Sequence, residues 1–539
     1  MSLLIPLHWI QNAAAGMSDI ESPSTARAEL PRQFSFLSTL ALGYSITNSW
    51  AGYAGILSIP LVMGGSPTAF FGLVVASIAC CFITAGLAEL ASAFPTSGGP
   101  FHFAFMAAAP KHRAAVSFVV GWLTMISWCT VSTSNGIVCA QLISGLVTVH
   151  HPSFTESAWR IYLIYLLIVL LSTMVVCFLP RVLPLIEDSI LTFSLLTFSA
   201  SFITVLAMQD HKQSAHTVFF AYENHTGWSD GTAFMIGAGT CMYAYITVDS
   251  ITHIADEVPE PGRNIPWAMM STVLTGMVTC IPYSITILFC TTDLNAVASS
   301  SIPIYTAYLQ ATSSSPVAAL FTAWVIFFYC AAEFSCILTA GRLAYTFARA
   351  GGLPCSSFFM VVTNEMPLNA TLGCCVFISL YGLIYIGSAS AFNGLISIVI
   401  IALNICYVIP QGIVLLRGRE AVLPRRAFAL GKYIGPFCNA VAVLWVAVIL
   451  VFFCLPLRLP TTVHDMNYVS VALAGFVALI VLGWWGGKRR TFIGPVCIPL
   501  FLPRSCSGLS SLTINIVALP QEIEFPHDRQ NGMARVPDE

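Results

Sequence analysis

Apolar residues run along this chain in long continuous stretches that short polar segments separate, from Phe34 to Trp485. A helix needs about 20 mostly apolar residues to cross a hydrocarbon core about 30 Å thick. The stretches lack the short alternating segments of a membrane barrel, and a helix satisfies its own backbone where water is absent. The predicted spans are 36–61, 66–90, 114–146, 160–179, 184–208, 232–254, 264–290, 316–345, 368–387, 391–416, 433–454 and 467–486. The pattern therefore predicts an all-α polytopic membrane protein with about twelve transmembrane helices.

The composition excludes a water-soluble protein, because 57% of residues are apolar and only 9% are charged. The basic residues indicate the orientation. Of the 22 lysines and arginines, only Arg160, Lys212 and Arg458 fall on one side of the predicted membrane. The basic side faces the cytosol, so we expect both tails there, in a multi-pass protein of the plasma membrane. Asn224-His-Thr then lies in an outside loop and is a candidate glycosylation site.

Two spans are interrupted by small residues. The first contains Asn48-Ser-Trp-Ala-Gly-Tyr-Ala-Gly55, and the sixth contains Gly237-Ala-Gly239 followed by Tyr243 to Asp249. Glycine costs about 1 kcal/mol against alanine in a helix, so both segments are candidates for unwinding. Interrupted helices at corresponding places of two repeats point to the binding site of a transporter at the membrane midplane. The alternative is that small residues only allow close helix packing.

Several motifs occur together in one order along the chain. They are Thr47-Asn-Ser-Trp50, Ala88 to Pro95 with Gly98-Gly99, His253 to Val258, Pro261 to Pro266, Arg342 to Pro354, and Met466-Asn-Tyr468. With these motifs the chain resembles the fungal amino acid/choline transporter family of the amino acid–polyamine–organocation superfamily, over roughly residues 34–486. It departs from that pattern at Tyr243, where tryptophan is common, and at Ala350, where an acidic residue often follows Arg349.

The resemblance implies a LeuT-like core of ten helices, built from two inverted five-helix repeats. The expected division is a cytosolic tail at 1–34, a core at 35–417 with repeats at 35–208 and 232–417, two additional helices at 418–486, and a cytosolic tail at 487–539. It also implies uptake of amino acids, 4-aminobutyrate, choline or related amines, driven by a proton gradient.

The two interruptions supply the candidate substrate contacts. Amides at a half-helix start suit a carboxylate, and an aromatic face suits a cationic head group. The carboxylate is expected near the amides of residues 54–56. The candidates are Trp50, Gly52, Tyr53, Ala54, Gly55, Ile56, Trp128, Tyr243, Ala244, Tyr245 and Ile246. Each aromatic taken singly is as well explained by packing or by anchoring at the membrane interface.

Charged residues inside spans are costly and become functional candidates. Asp249, His253 and Glu257 share one face if the segment is helical, and they form either a proton relay or a structural network. Glu333 lies about 13 Å inward of Arg342 on a helix. It is expected to bind a substrate ammonium or the coupling proton, or else to be hydrogen-bonded, in its neutral form, to a neighbouring helix.

Three charged residues lie where the second and eighth spans meet the cytosol. Glu89, Arg342 and Arg349 are expected to gate or cap the helices by charge pairing, or to act only as anchors of topology. The 18 cysteines lie mostly in apolar stretches as small hydrophobic residues, so no metal site and no disulfide are expected. No nucleotide-binding motif occurs, so ATP is not the expected energy source.

The function predicted from the sequence is therefore secondary active transport of a small amine or amino acid with a proton, or a sodium ion, across a lipid bilayer. No enzymatic activity, cofactor or nucleic-acid partner is expected. Two alternatives stay open. One is a nutrient sensor on the same fold, which a long regulatory cytosolic domain would favour. The other is a membrane-embedded enzyme, which would need converging polar residues at one depth.

Overall fold

The computed structural model describes residues 34–151, 153–363, 366–387, 389–462 and 466–495, and most of both predicted tails lies outside them. The described residues form helices, with a single isolated bridge between Thr363 and Met366. Eleven helices in this part of the chain are long and apolar enough to cross a membrane. They are Ser58–Ala93, Arg113–His150, Ala158–Phe178, Pro180–Met208, Asp230–Glu257, Pro261–Cys290, Ser315–Arg349, Leu368–Gly387, Ile396–Arg417, Gly431–Phe453 and Val469–Thr491. The all-α polytopic class is confirmed.

The first predicted span is absent from that set because it is divided into two short helices. Phe36–Thr47 and Ser49–Ile56 meet at Asn48, whose φ of 24° and ψ of 63° end one helix and start the next. Asparagine tolerates a positive φ better than most residues. The helical path then runs to Gly64 and Gly65, where the φ of +68° at Gly65 needs a residue without a Cβ, and the second span follows.

The interruption of the first span thus falls at Asn48, the first residue of the segment expected to unwind, while the two glycines of that segment lie in regular helix. Gly52 and Gly55 serve close packing instead, which is the alternative that the sequence left open. A Cβ on Gly52 would lie 3.3 Å from the Thr47 carbonyl oxygen, and one on Gly55 would overlap the Tyr329 hydroxyl. One glycine costs only about 1 kcal/mol in a helix, so packing around it readily keeps the helix intact.

The sixth span is interrupted close to where the sequence predicts it. The helix Asp230–Cys241 tightens into a 3₁₀ turn at Met242–Tyr245, and Ile246 is extended with ψ 174°. Thr247 adopts φ 72°, after which Val248–Glu257 continues as a 3₁₀ helix. The backbone amides and carbonyls on either side of Ile246 and Thr247 are thus released from regular helical pairing.

The interrupted helices lie inside the bundle. The second span packs on the sixth and seventh, and the third packs on the eighth and tenth. Small residues permit these close approaches, as where a Cβ on Gly72 would lie 3.1 Å from the Ala238 Cα. The fourth, fifth and twelfth spans expose large apolar side chains to the surroundings, as a helix on the lipid side does. Short helices connect the spans at Pro100–Ala107, Ala215–Phe219, Leu294–Ser299, Pro303–Thr312, Ser356–Phe359 and Arg419–Val422.

Candidate substrate site

A small cavity lies where the two interruptions meet. Its walls come from the first, third, sixth and eighth spans. The lining residues are Ile46, Thr47, Asn48, Ala51, Gly52, Val131, Asn135, Tyr243, Ile246, Thr247, Phe328, Tyr329, Ala332 and Cys336. None of these described residues carries a formal charge. The volume is about 30 Å³, space for about two water molecules. A solute of the size of an amino acid therefore requires the walls to separate.

Three of the eleven predicted substrate residues line this cavity, namely Gly52, Tyr243 and Ile246. The other eight lie outside its lining: Trp50, Tyr53, Ala54, Gly55, Ile56, Trp128, Ala244 and Tyr245. Two of the aromatic side chains turn to other helices. The indole N–H of Trp50 donates to Ser194 at 2.9 Å, and the Tyr53 hydroxyl donates to the Ala69 carbonyl at 2.9 Å. These rings hold the half-helix in the bundle, which is the packing role that the sequence left open.

The restart of the first span at Ser49 places unpaired amides beside the cavity. The first turn of a helix has no intrahelical acceptor for its N–H groups, so the free amides are those of residues 49–51 and not those of residues 54–56. Asn48 adds a further donor. Its side-chain oxygen accepts from Ser194 at 3.0 Å, while its nitrogen is buried and makes no hydrogen bond within the described residues. This edge of the cavity is rich in hydrogen-bond donors.

Three aromatic rings face the same cavity. Tyr243 was predicted, whereas Phe328 and Tyr329 of the eighth span were missed. The Tyr329 hydroxyl reaches the Gly52 carbonyl at 3.3 Å and so spans the gap between the first and eighth spans. Asn48 and Asn135 were also missed, although a lone amide within an apolar span is a signal that sequence reasoning can use.

A buried polar cluster lies below the sixth-span interruption. Asp249 accepts hydrogen bonds from the Trp128 indole at 3.1 Å and from the Tyr407 hydroxyl at 2.5 Å. His253 Nε2 is 3.1 Å from the same carboxylate, and His253 Nδ1 is 3.1 Å from the Ser97 carbonyl oxygen. Trp128 thus serves Asp249 and not the cavity. The cluster ties the sixth span to the third, the tenth and the loop after the second.

The profile of the amino acid permease family matches residues 34–479 of this chain. The chain belongs to this family. It is 34% identical to the choline transporter of Saccharomyces cerevisiae over 485 residues, which is 88% of this chain and 85% of that protein. It is 27% identical to the amino-acid permease BAT1 of Arabidopsis thaliana, with 87% of this chain and 94% of that protein covered.

The solved structures show the same fold. A manganese transporter from Eremococcus coleocola superposes with a TM-score of 0.51 at 14% identity, covering 88% of this chain and 97% of that one. The resemblance to transporters predicted from the motifs is confirmed, and the protein is a membrane transporter of the permease family, not an enzyme.

Two buried carboxylates of the permease are held by neutral donors from other helices. Glu333 accepts from the Ser132 hydroxyl and from the Asn135 side-chain nitrogen, the latter at 2.8 Å. Glu187 accepts from Ser45 and from Ser335, which lies 2.7 Å away. Glu187 was missed in the sequence because it lies near the start of the fifth span, where a charged residue is expected at the end of a transmembrane helix.

The predicted gating residues find partners that spacing along the chain does not reveal. Arg342 forms a two-pronged ion pair with Glu257, with its Nη2 3.0 Å from Oε2. Glu257 is thus separated from Asp249 and His253, and the stripe of three expected on one face is divided. Glu89 binds Arg419 and Arg426 of the segment between the tenth and eleventh spans. Arg349 lies over the Tyr345 ring at 5.6 Å.

The predicted glycosylation site lies in the loop before the sixth span. The Asn224 side-chain nitrogen donates to the Trp228 carbonyl at 2.7 Å and to Asp230 at 3.0 Å. Its side-chain oxygen accepts from the hydroxyl of Thr226, the third residue of the sequon, at 2.6 Å. A glycan on this nitrogen would replace one of its two hydrogens, so one of the two donated bonds would have to be given up.

Proposed function

We propose that this permease is a secondary active transporter of small amines, with choline, 4-aminobutyrate and other amino acids as the candidate class. The observation that carries the proposal is the uncharged cavity at the two helix interruptions, lined by Tyr243, Phe328 and Tyr329. Cation–π attraction to such rings stabilises a bound cationic head group by roughly 0.5–2 kcal/mol, so the cavity wall does not need a carboxylate to bind a cation. The similarity to a choline transporter and to an amino-acid permease supports this class.

Hydrogen-bond donors lie at one edge of the same cavity. The amides of residues 49–51 and the Asn48 side-chain nitrogen favour a solute group that accepts hydrogen bonds, such as a carboxylate or a hydroxyl. Amino acids and choline both carry one such group beside their nitrogen. The site thus discriminates against simple hydrocarbons and against anions that lack an amine.

We propose further that a proton is the coupling ion and that Asp249 and His253 carry it. The Ser97 carbonyl can only accept, so His253 Nδ1 bears a hydrogen. A neutral imidazole would then turn the lone pair of Nε2 towards the Asp249 carboxylate. One further proton, on either partner, removes that repulsion. The hydrogen-bond geometry of the buried pair therefore provides a place for one proton between its two side chains.

The surroundings of this pair make proton release depend on conformation. Trp128 and Tyr407 donate to Asp249, and Cys406 lies near the carboxylate on the tenth span. Both members of the pair are buried. When the second half of the sixth span moves away from the Ser97 loop, water reaches the pair and the proton can leave. With both tails in the cytosol, as the basic residues predict, release is inward across the plasma membrane.

Uptake measurements test the substrate class. The chain is expressed in a host deficient in its own permeases, and uptake of labelled choline, 4-aminobutyrate and a panel of amino acids is measured. At least one amine should accumulate above the vector control. Correct membrane insertion without uptake of any of them would reject the transport proposal and favour the sensor.

Proton coupling needs its own variants. Asp249→Asn and His253→Gln should abolish accumulation driven by an acid exterior while leaving exchange of labelled for unlabelled solute. Asp256→Asn is the matched control, since this exposed carboxylate lies on the same short helix. Accumulation that follows the sodium gradient, and not the proton gradient, would overturn the choice of ion.

A further inference from the structure

Asn135 is a polar side chain of the third span that lines the cavity. Its side-chain nitrogen has two hydrogens, and both have acceptors in the wall. The nitrogen lies 2.8 Å from the Tyr329 carbonyl oxygen and 2.8 Å from Glu333 Oε2. A rotated amide would set its oxygen against two acceptors, so the orientation is determined by the wall. The side-chain oxygen of Asn135 is therefore the group that can accept a hydrogen bond from a solute.

Glu333 maintains that orientation without itself touching the cavity. Its side chain is fully buried, and it is not part of the cavity lining. Oε2 accepts from Asn135, and Oε1 pairs with the Ser132 hydroxyl. In the ionised form both oxygens accept. In the neutral form the acid proton can go to Ser132, whose hydroxyl also accepts, and Oε2 still receives Asn135. The amide is therefore held in either protonation state.

We propose that the Asn135 side-chain oxygen is the acceptor for one hydrogen-bond donor of the transported solute, and that Glu333 is the positioning residue that holds it there. The inference rests on the proposed function and narrows it. The donor is a hydroxyl, as in choline, or a protonated amine, as in 4-aminobutyrate. A quaternary ammonium without a hydroxyl fits the aromatic rings but leaves the Asn135 oxygen without a partner. Discrimination between such pairs of solutes is the property that Asn135 confers.

The preference for a solute with a hydrogen-bond donor is measured with pairs of matched solutes. Choline is compared with propyltrimethylammonium, which replaces the hydroxyl by a methyl group. 4-Aminobutyrate is compared with its N-trimethyl form. Each competes against uptake of whichever labelled solute the wild-type protein transports. One net hydrogen bond corresponds to about a five- to tenfold preference, so the donor-bearing member should inhibit at about that much lower concentration in the wild type.

The variants separate recognition from structure. Asn135→Leu and the smaller Asn135→Ala should reduce the preference to less than about twofold, while inhibition by the donorless solute stays near its wild-type value. Glu333→Gln should keep the preference, because its amide oxygen can accept from Asn135 while its nitrogen donates to Ser132. Glu333→Leu should lose the preference. Ser132→Ala is the control, since it removes the other contact of Glu333 and leaves the Asn135 bond.

Each outcome bears on one of the two proposals. A wild-type protein that transports none of the amines refutes the proposed function. Wild-type transport with an unchanged preference in the Asn135 variants refutes the inference alone. If the Asn135 variants fail to reach the membrane, the comparison of Glu333→Leu with Glu333→Gln decides. Loss of the preference in both Glu333 variants, or in neither, overturns the positioning role.

Discussion

The ion pair between Arg342 and Glu257 should show strong energetic coupling, because both charges are buried at the end of the sixth span. Their side chains are 4% and 2% exposed, and two arginine nitrogens face the two carboxylate oxygens. Removal of one partner leaves a buried charge without compensation. The cost of breaking such a pair is about 3–5 kcal/mol. Arg342→Met and Glu257→Met should each lower the free energy of unfolding by about this amount.

The double variant should behave differently. Two methionines fill a similar volume and bury no charge, so replacement of a whole buried pair is often close to neutral. We expect the double variant to lie within about 1–2 kcal/mol of the wild type. The pair also joins the sixth span to the eighth, so its loss should change the rate of uptake even where stability recovers.

The free energy of unfolding is measured by titration with sodium dodecyl sulfate in mixed micelles, for the wild type, both single variants and the double variant. The Glu89 partner Arg426→Met is a useful reference, because Arg419 still compensates the same carboxylate. Its cost should be smaller than that of Arg342→Met. Additive effects of the two single substitutions would show that the side chains do not interact as the geometry requires.

Three further predictions concern the cavity, the loop and the orientation. Gly55→Leu should remove uptake at normal membrane abundance, because the new side chain displaces Tyr329 from the cavity wall, and Gly55→Ala should have an intermediate effect. Equal uptake in both variants and the wild type would show that the position of Tyr329 does not depend on Gly55. Asn224→Gln should abolish any shift in electrophoretic mobility on endoglycosidase treatment, and a shift that persists would place the glycan elsewhere. Tags on both termini should be protected from protease in intact cells and cleaved after permeabilisation, whereas cleavage in intact cells would reverse the predicted orientation.

Glu333 shows how far one sequence position can be interpreted before its neighbours are known. The sequence places it deep in the eighth span with no basic residue nearby, and leaves a proton site, a substrate site and a hydrogen-bonded structural group as alternatives. The structure supplies Ser132 and Asn135 as its partners. These residues are about 200 positions away along the chain, so no local pattern could identify them.

The membrane class, the number of spans and the family follow from the sequence by itself, because length and apolarity are what a bilayer requires of a helix and because the motifs lie in contiguous segments. The direction of each side chain does not follow. In lipid, the outer and inner faces of a helix are equally apolar, so the hydrophobic pattern does not indicate which face lies against another helix. Trp50 and Tyr53 adjoin the break at Asn48, yet they turn away from the cavity, whereas Phe328 and Tyr329 reach it from the eighth span. Only the packing of the helices decided which residues meet, since the partners of buried polar groups come from distant parts of the chain.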